Sequence, residues 1–180
     1  MELDDALESL INKLKDAGKL EDTVIALVGD HYPYELSIDE INEISSYKKD
    51  AKIEVNHSKF ILYNSAMENV NISKVGSSID VLPTIYNLFN LKYDSRLIIG
   101  TDLLSTSDGL AMFDNRSWVT DKGTYFTATG EFIKKGDVSD DYVNKQMQIV
   151  NNKINLSSYF MDTNYYNIVS NYVKWLVKIL

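Results

Sequence analysis

"TVIALVGDHYPY", residues 23–34, is the stretch on which the reading of this chain turns. An apolar run from Val24 to Val28 ends at Gly29, and a carboxylate and an imidazole follow at once as Asp30 and His31. So short a run, β-branched at several positions, fits a strand buried on both faces, the form typical of a parallel sheet. In open α/β sheets, ligands collect outside the carboxyl ends of strands, where loops hold polar groups on a rigid base. Carboxylate oxygen and neutral imidazole nitrogen both suit Zn²⁺ or Mn²⁺. Neighbours on a strand point to opposite faces, so Asp30 and His31 reach one ion only if the chain turns there. Gly29 before them and Pro33 after them make that turn plausible. The same dipeptide also fits a plain loop, with the aspartate capping a turn and the histidine half exposed.

Outward from this stretch, the pattern alternates. Leu3, Leu7, Leu10, Ile11 and Leu14 share one face of a helix over 3–17, and Gly18 fits the position just past its end. "SIDE" at 37–40 is a capping-box pattern that starts a second helix. "KFILYNS" from Lys59 predicts a second buried strand. "DVLPTIYNLFNL" from Asp80 predicts a helix, with Asp80 as N-cap, Pro83 in the first turn and Ile85, Leu88 and Phe89 on the buried side. Helix, strand, helix, strand, helix is the rhythm of a layered α/β sheet. From Gly109 the texture changes to three short aromatic and β-branched runs separated by "DNR" and "DKG", which predicts an antiparallel meander. Tyr142, Val143, Met147, Val150 and Ile154 then fall at helical spacing in a helix over 140–154 that extends toward Tyr166. The amphipathic tail "NYVKWLVKIL" at 171–180 is expected to pack on the domain.

Composition narrows the function. The chain has 180 residues, of which 44% are hydrophobic and 24% charged, the profile of a globular protein. A net charge of −8 without a basic stripe argues against nucleic acid as partner. There is no cysteine, which removes disulfides, thiolate metal sites and cysteine nucleophiles together. No run reaches the roughly 18 apolar residues of a membrane span, and the acidic start "MELDDALESL" lacks a signal-peptide core.

The helix "LESLINKLKDAGK" followed by "LEDTVIALVGDHYPY" resembles the late metal-ligand motif of the alkaline-phosphatase superfamily. The branch it is most similar to is the sulfatase-like lipoteichoic acid synthases, which are phosphoglycerol transferases. "FILYNSAMENVNISKVGSSIDVLPTIYNLFNL" resembles that branch's strand, loop and D-x-x-P-T helix, and "GTDLL" at 100–104 matches the segment after it. The resemblance covers about residues 1–107. The later meander and helix look like the branch's small C-terminal subdomain.

The resemblance implies a partial three-layer α/β/α sandwich of the alkaline-phosphatase type over 1–107, with a small antiparallel sheet plus helix over 108–180. It implies that Asp30 and His31 are two ligands of a divalent metal, Mn²⁺ in this branch, with Mg²⁺ or Zn²⁺ as alternatives. In such enzymes a threonine or serine nucleophile, activated by the metal, attacks a phosphodiester (a sulfate ester in relatives) and forms a covalent intermediate. The implied substrate is a phosphatidylglycerol-type lipid head group, met at the extracytoplasmic face of a bacterial membrane. Tyr32 and Tyr34 flank the implied metal and either line the substrate groove or are ordinary loop tyrosines.

The branch's nucleophile, early acidic ligand and substrate-binding arginine and histidine all precede this motif by long stretches, whereas 29 residues precede Asp30 here. The chain is therefore expected to be the C-terminal portion of such an enzyme, weak in metal binding and inactive alone. It is also expected to self-associate through an exposed sheet edge. The rival expectation is a non-catalytic binding or assembly module that keeps half of the fold. His57 is expected to be an exposed loop residue, Asp80 and Asp102 to satisfy backbone groups, Arg116 to sit in a turn and Trp118 to be packed.

Overall fold

The apolar run after Thr23 forms a strand, β1 (Ile25–Val28), and "KFILYNS" forms its partner, β2 (Phe60–Tyr63). The two run antiparallel, with Ile25 opposite Tyr63 and Val28 opposite Phe60. They make a two-stranded sheet in which half-buried and exposed residues alternate along each strand, in place of strands buried on both faces. Directly opposed residues share a face. Ile25, Leu27, Ile61 and Tyr63 thus form one apolar face, and Ala26, Val28, Phe60 and Leu62 the other. Among the described residues each strand has one strand neighbour.

In the computed structural model, residues 2–171 are described, and they fall into two compact units divided between Asn71 and Ile72. The first unit opens with α1 (Glu2–Asp16). Gly18 ends this helix in the left-handed region at φ 63°, and its amide donates to Lys15 O at 3.0 Å. The Lys19 amide donates to Leu14 O at 2.8 Å, completing a Schellman closure for which glycine is the natural residue. On the apolar face of α1, Leu7, Ile11 and Leu14 are half-buried, whereas Leu3 and Leu10 are exposed. After β1 comes α2 (Ile38–Ile44), and a 3₁₀ turn at Glu54–Asn56 leads into β2. Ile41, Ile53 and Val55 are the buried apolar residues of this unit. Asn64 ties the end of β2 back to the approach to β1, donating through Nδ2 to Glu21 O at 2.7 Å and Thr23 O at 2.8 Å.

The second unit begins with a 3₁₀ turn at Ser78–Asp80 that runs into α3 (Val81–Leu88). The buried residues of α3 are Pro83 and Thr84; Leu88 and Phe89, expected inside, are exposed. Thr84 is held by donating to Asp80 O at 2.6 Å while accepting the Leu103 amide at 2.9 Å.

The meander forms as four strands in sequential order, β3 (Ala111–Met112), β4 (Trp118–Thr120), β5 (Gly123–Phe126) and β6 (Glu131–Lys134), all antiparallel. α4 (Tyr142–Asp162) packs on it. Trp118, Tyr125 and Val150 centre this core. Tyr142, Val143, Met147 and Ile154, the helical-spacing residues of the sequence, pack around them. The chain is helical again over 165–171, and Tyr166 OH donates to Leu97 O at 2.9 Å. The amphipathic tail lies, after Asn171, outside the described residues. No helix among the described residues is long and apolar enough to cross a membrane.

Candidate metal centre

β1 stops at Val28 and the chain turns through Gly29 into the loop 29–37. A Cβ at Gly29 would lie 3.2 Å from both Cβ and Oγ of Ser58, so its bare backbone lets the entry to β2 come close. The far end of the loop is anchored where α2 begins. Ser37 and Glu40 form a reciprocal capping box: Glu40 Oε2 accepts the Ser37 amide at 2.8 Å and the Ser37 hydroxyl at 2.7 Å, while Ser37 Oγ accepts the Glu40 amide at 3.3 Å. These bonds from Ser37 hold the Glu40 carboxyl below its ordinary pKa.

Between these anchors, Asp30 and His31 come together. The aspartate accepts the His31 amide through Oδ1 at 2.9 Å, which leaves Oδ2 facing the imidazole, 3.6 Å from Nε2. His31 Nδ1 lies 2.7 Å from Tyr32 O. A carbonyl oxygen only accepts, so Nδ1 is the donor in this contact, and in the neutral form of the ring the lone pair lies on Nε2. Both groups face solvent, with 88% of the Asp30 side chain and 47% of the His31 side chain exposed.

The aromatic residues of the loop gather on the same imidazole. Tyr34 stacks on His31, with ring centroids 4.4 Å apart and planes 9° from parallel. Tyr32 meets Tyr34 edge-on at 4.8 Å and 80°. The loop thus unites all four residues singled out in it, Asp30, His31, Tyr32 and Tyr34.

This donor set fits a divalent cation as a pair of ligands. Two metal–ligand bonds of about 2.1 Å opening at a tetrahedral angle put their donor atoms roughly 3.4 Å apart. The observed 3.6 Å is close to that span. The tautomer is the one metal-ligating histidines adopt, with the remote nitrogen held by a carbonyl. Among the described residues, no three His, Cys, Asp or Glu side chains gather as a group that could hold an ion. Asp30 and His31 offer two donor atoms at a ligand-like spacing, fewer than a full coordination sphere needs.

The remaining candidates lie elsewhere. His57 is exposed, as expected, but it is not alone: its Nδ1 lies 2.5 Å from Tyr47 OH, and Lys49 Nζ donates to its carbonyl at 2.8 Å. Burial, followed by the charge of Glu54, pushes the Tyr47 phenol up. This pairing spans ten residues of irregular chain and has no sequence signal.

Asp80 stands at the N-cap position of α3, as expected, but its side chain makes no capping bond to that helix. It is the third residue of a capping box on the preceding 3₁₀ turn, where Oδ2 accepts the Ser77 amide at 2.8 Å. Asp102 accepts the Leu104 amide at 2.9 Å and Asn87 Nδ2 at 2.7 Å, a local structural role. Arg116, at φ 66° in the turn before β4, donates to the side-chain oxygens of Asn151 and Asn155 on α4. Trp118 is wholly buried. The signal that sequence reading missed at the centre itself is the Tyr32 carbonyl, a main-chain atom that no residue type announces.

Comparison with known proteins gives this centre its context. The Sulfatase family model matches residues 1–91, a span that includes α1, β1, the loop, β2 and α3. The chain is 31% identical over 171 residues to lipoteichoic acid synthase 1 of Bacillus subtilis (strain 168), covering 82% of this chain and 25% of that protein. It is 29% identical over 149 residues to the lipoteichoic acid synthase-like YvgJ of the same strain, covering 77% of this chain and 24% of the relative. It is 32% identical over 122 residues to the lipoteichoic acid synthase of Staphylococcus saprophyticus, covering 66% and 19%. The chain spans about a quarter or less of the length of these curated relatives.

Proposed function

Because this chain belongs to the sulfatase family, we propose that it is the C-terminal portion of a metal-dependent phosphoglycerol transferase and contributes Asp30 and His31 as ligands of a divalent cation. The observation that carries the reading is the approach of Asp30 Oδ2 to His31 Nε2 at 3.6 Å, just past the end of β1. Likeness to proteins named lipoteichoic acid synthase supports the choice of branch. In this reading the metal is Mn²⁺, with Mg²⁺ or Zn²⁺ as alternatives, and the phosphoglycerol donor is a phosphatidylglycerol-type head group at the outer face of a bacterial membrane.

The residues of this chain have separable tasks. Asp30 supplies negative charge to the cation, and its second oxygen stays engaged with the His31 amide. His31 supplies a neutral nitrogen whose direction is fixed by the Tyr32 carbonyl. A divalent cation bound there supplies Lewis-acid polarisation of a phosphoryl oxygen and lowers the pKa of an attacking hydroxyl. The nucleophile and the remaining ligands come from segments that precede this one in the parent enzyme. The chain alone therefore binds metal weakly and does not turn over substrate.

Metal titration of the 180-residue chain tests this. Mn²⁺ is expected to broaden the His31 ring signals in the wild type, and Asp30→Ala or His31→Ala to abolish saturable binding. Binding that is the same in all three proteins overturns the reading in favour of a non-catalytic module.

A further inference from the structure

We propose that Tyr34 is a positioning residue that clamps the His31 imidazole in the orientation needed to ligate a cation; the inference rests on the metal-binding reading above. An imidazole on the surface has two soft torsions, and a single hydrogen bond at Nδ1 leaves the ring able to swing about that contact. The stack with Tyr34, at 4.4 Å and 9°, holds the remaining freedom by covering one face of the ring. The Tyr32 carbonyl fixes the ring in its own plane, Tyr34 fixes the plane itself, and Nε2 is left beside Asp30 Oδ2.

Several features make this more than a chance contact. Tyr34 is 66% exposed, so core packing does not dictate where its ring lies. Pro33 sets the backbone between the two tyrosines at a fixed φ. The Tyr32 ring then meets Tyr34 edge-on, buttressing the stack from a second direction. The electronics run the same way. A cation on Nε2 draws electron density out of the imidazole, and an electron-poor ring lies more favourably on the electron-rich face of a phenol. Metal binding and stacking therefore strengthen one another, as linkage requires. A preorganised ligand loses less freedom on binding, which is where the gain in affinity arises.

The experiment uses the full chain and Mn²⁺ alone, with two readouts. In metal-free protein, the His31 ring protons are expected upfield in the wild type and in Tyr34→Phe, and moved downfield in Tyr34→Ala. In a Mn²⁺ titration followed by paramagnetic broadening, Tyr34→Ala is expected to weaken binding about three- to tenfold, the range of an aromatic pair. Tyr34→Phe, which keeps the stack, is expected to stay within about twofold of wild type. Equal affinity in wild type and Tyr34→Ala, with Asp30→Ala still impaired, overturns the clamp and leaves the metal site standing. Unchanged His31 shifts in Tyr34→Ala overturn the clamp without reference to any metal. Wild-type protein whose His31 signals Mn²⁺ leaves sharp, or an Asp30→Ala chain that binds as well as wild type, overturns the metal site and the clamp with it.

Discussion

Asp80 Oδ1 accepts the backbone amide of Thr101 at 2.6 Å, joining points 21 residues apart in the chain. With Oδ2 on the Ser77 amide, one carboxylate that is 4% exposed staples the turn before α3 to the segment that follows it. Removing it strands two amide donors. Asp80→Ala is expected to cost about 3 kcal/mol in urea unfolding, and Asp80→Asn, which keeps one acceptor, clearly less. Equal loss in the two variants counts against the staple.

The same two segments touch through bare backbone. A Cβ at Gly100 would fall 1.9 Å from Ile79 O and 2.5 Å from Ile79 C, and main chain cannot swing aside as a side chain does. Gly100→Ala is expected to destabilise by about 3 kcal/mol, the upper end of overpacking costs. Gly136, with nothing within 4 Å of its Cβ position, provides the control. Gly136→Ala is expected to change stability by no more than about 0.5 kcal/mol. Thermal melts of the two variants decide the matter.

The core of the second unit depends on one indole. Trp118 is fully buried, stacked on Tyr125 at 5.5 Å, and packed near Phe132 and Tyr142. Trp118→Ala is expected to cost about 3–5 kcal/mol. Its near-ultraviolet circular dichroism should collapse along with the stability. A variant that melts like the wild type would show that the meander and α4 do not share this core.

Arg96 forms a fork on Asp94, with Nε 2.9 Å from Oδ1 and Nη2 2.6 Å from Oδ2. The Arg96 side-chain bonds, then its backbone amide, bring the Asp94 carboxyl down to about 2 from the usual 3.8. A depressed carboxylate pKa contributes stability that is present above 3.8 and is lost as pH falls from there toward 2. Asp94 is half-buried and Arg96 is exposed, so the pair is screened by solvent and the effect is read as a titration midpoint. Carbon-detected NMR is expected to place the Asp94 midpoint near 2 and to return it to the ordinary range in Arg96→Gln.

Among the described residues each strand of the β1–β2 sheet has one neighbour, so one edge of each carries main-chain donors and acceptors without a strand partner there. Both faces are apolar. Light scattering is expected to show association that grows with concentration, and Lys introduced at Val28 or Ile61 to suppress it. A monomer at every concentration would refute this.

What the sequence disclosed follows the range of the forces involved. The Gly18 closure and the Ser37–Glu40 box are set by residues within five positions, and both were readable. So were the meander's turns at "DNR" and "DKG" and the face of α4 that meets Trp118, whereas the turn over 127–130 that divides the third expected run into β5 and β6 was not. The antiparallel pairing of β1 with β2 depends on contacts across more than thirty residues, and the apolar content of each run says nothing of its partner. The exposure of Leu88 and Phe89 has the same origin: spacing fixes a face, and only a neighbour buries it. In the loop after β1, residue types singled out Asp30 and His31, whereas the stack of Tyr34 on His31, like the contact between Tyr47 and His57 elsewhere, arises from loop geometry.

The proton on His31 Nδ1 is assigned by the carbonyl of Tyr32, an atom that every amino acid possesses. Evolution could therefore exchange the side chain at position 32 many times without altering which imidazole nitrogen is basic. What selects the donor nitrogen is a direction in the backbone, set by the turn through Gly29 and Pro33, while the side chain at 32 serves separately against Tyr34.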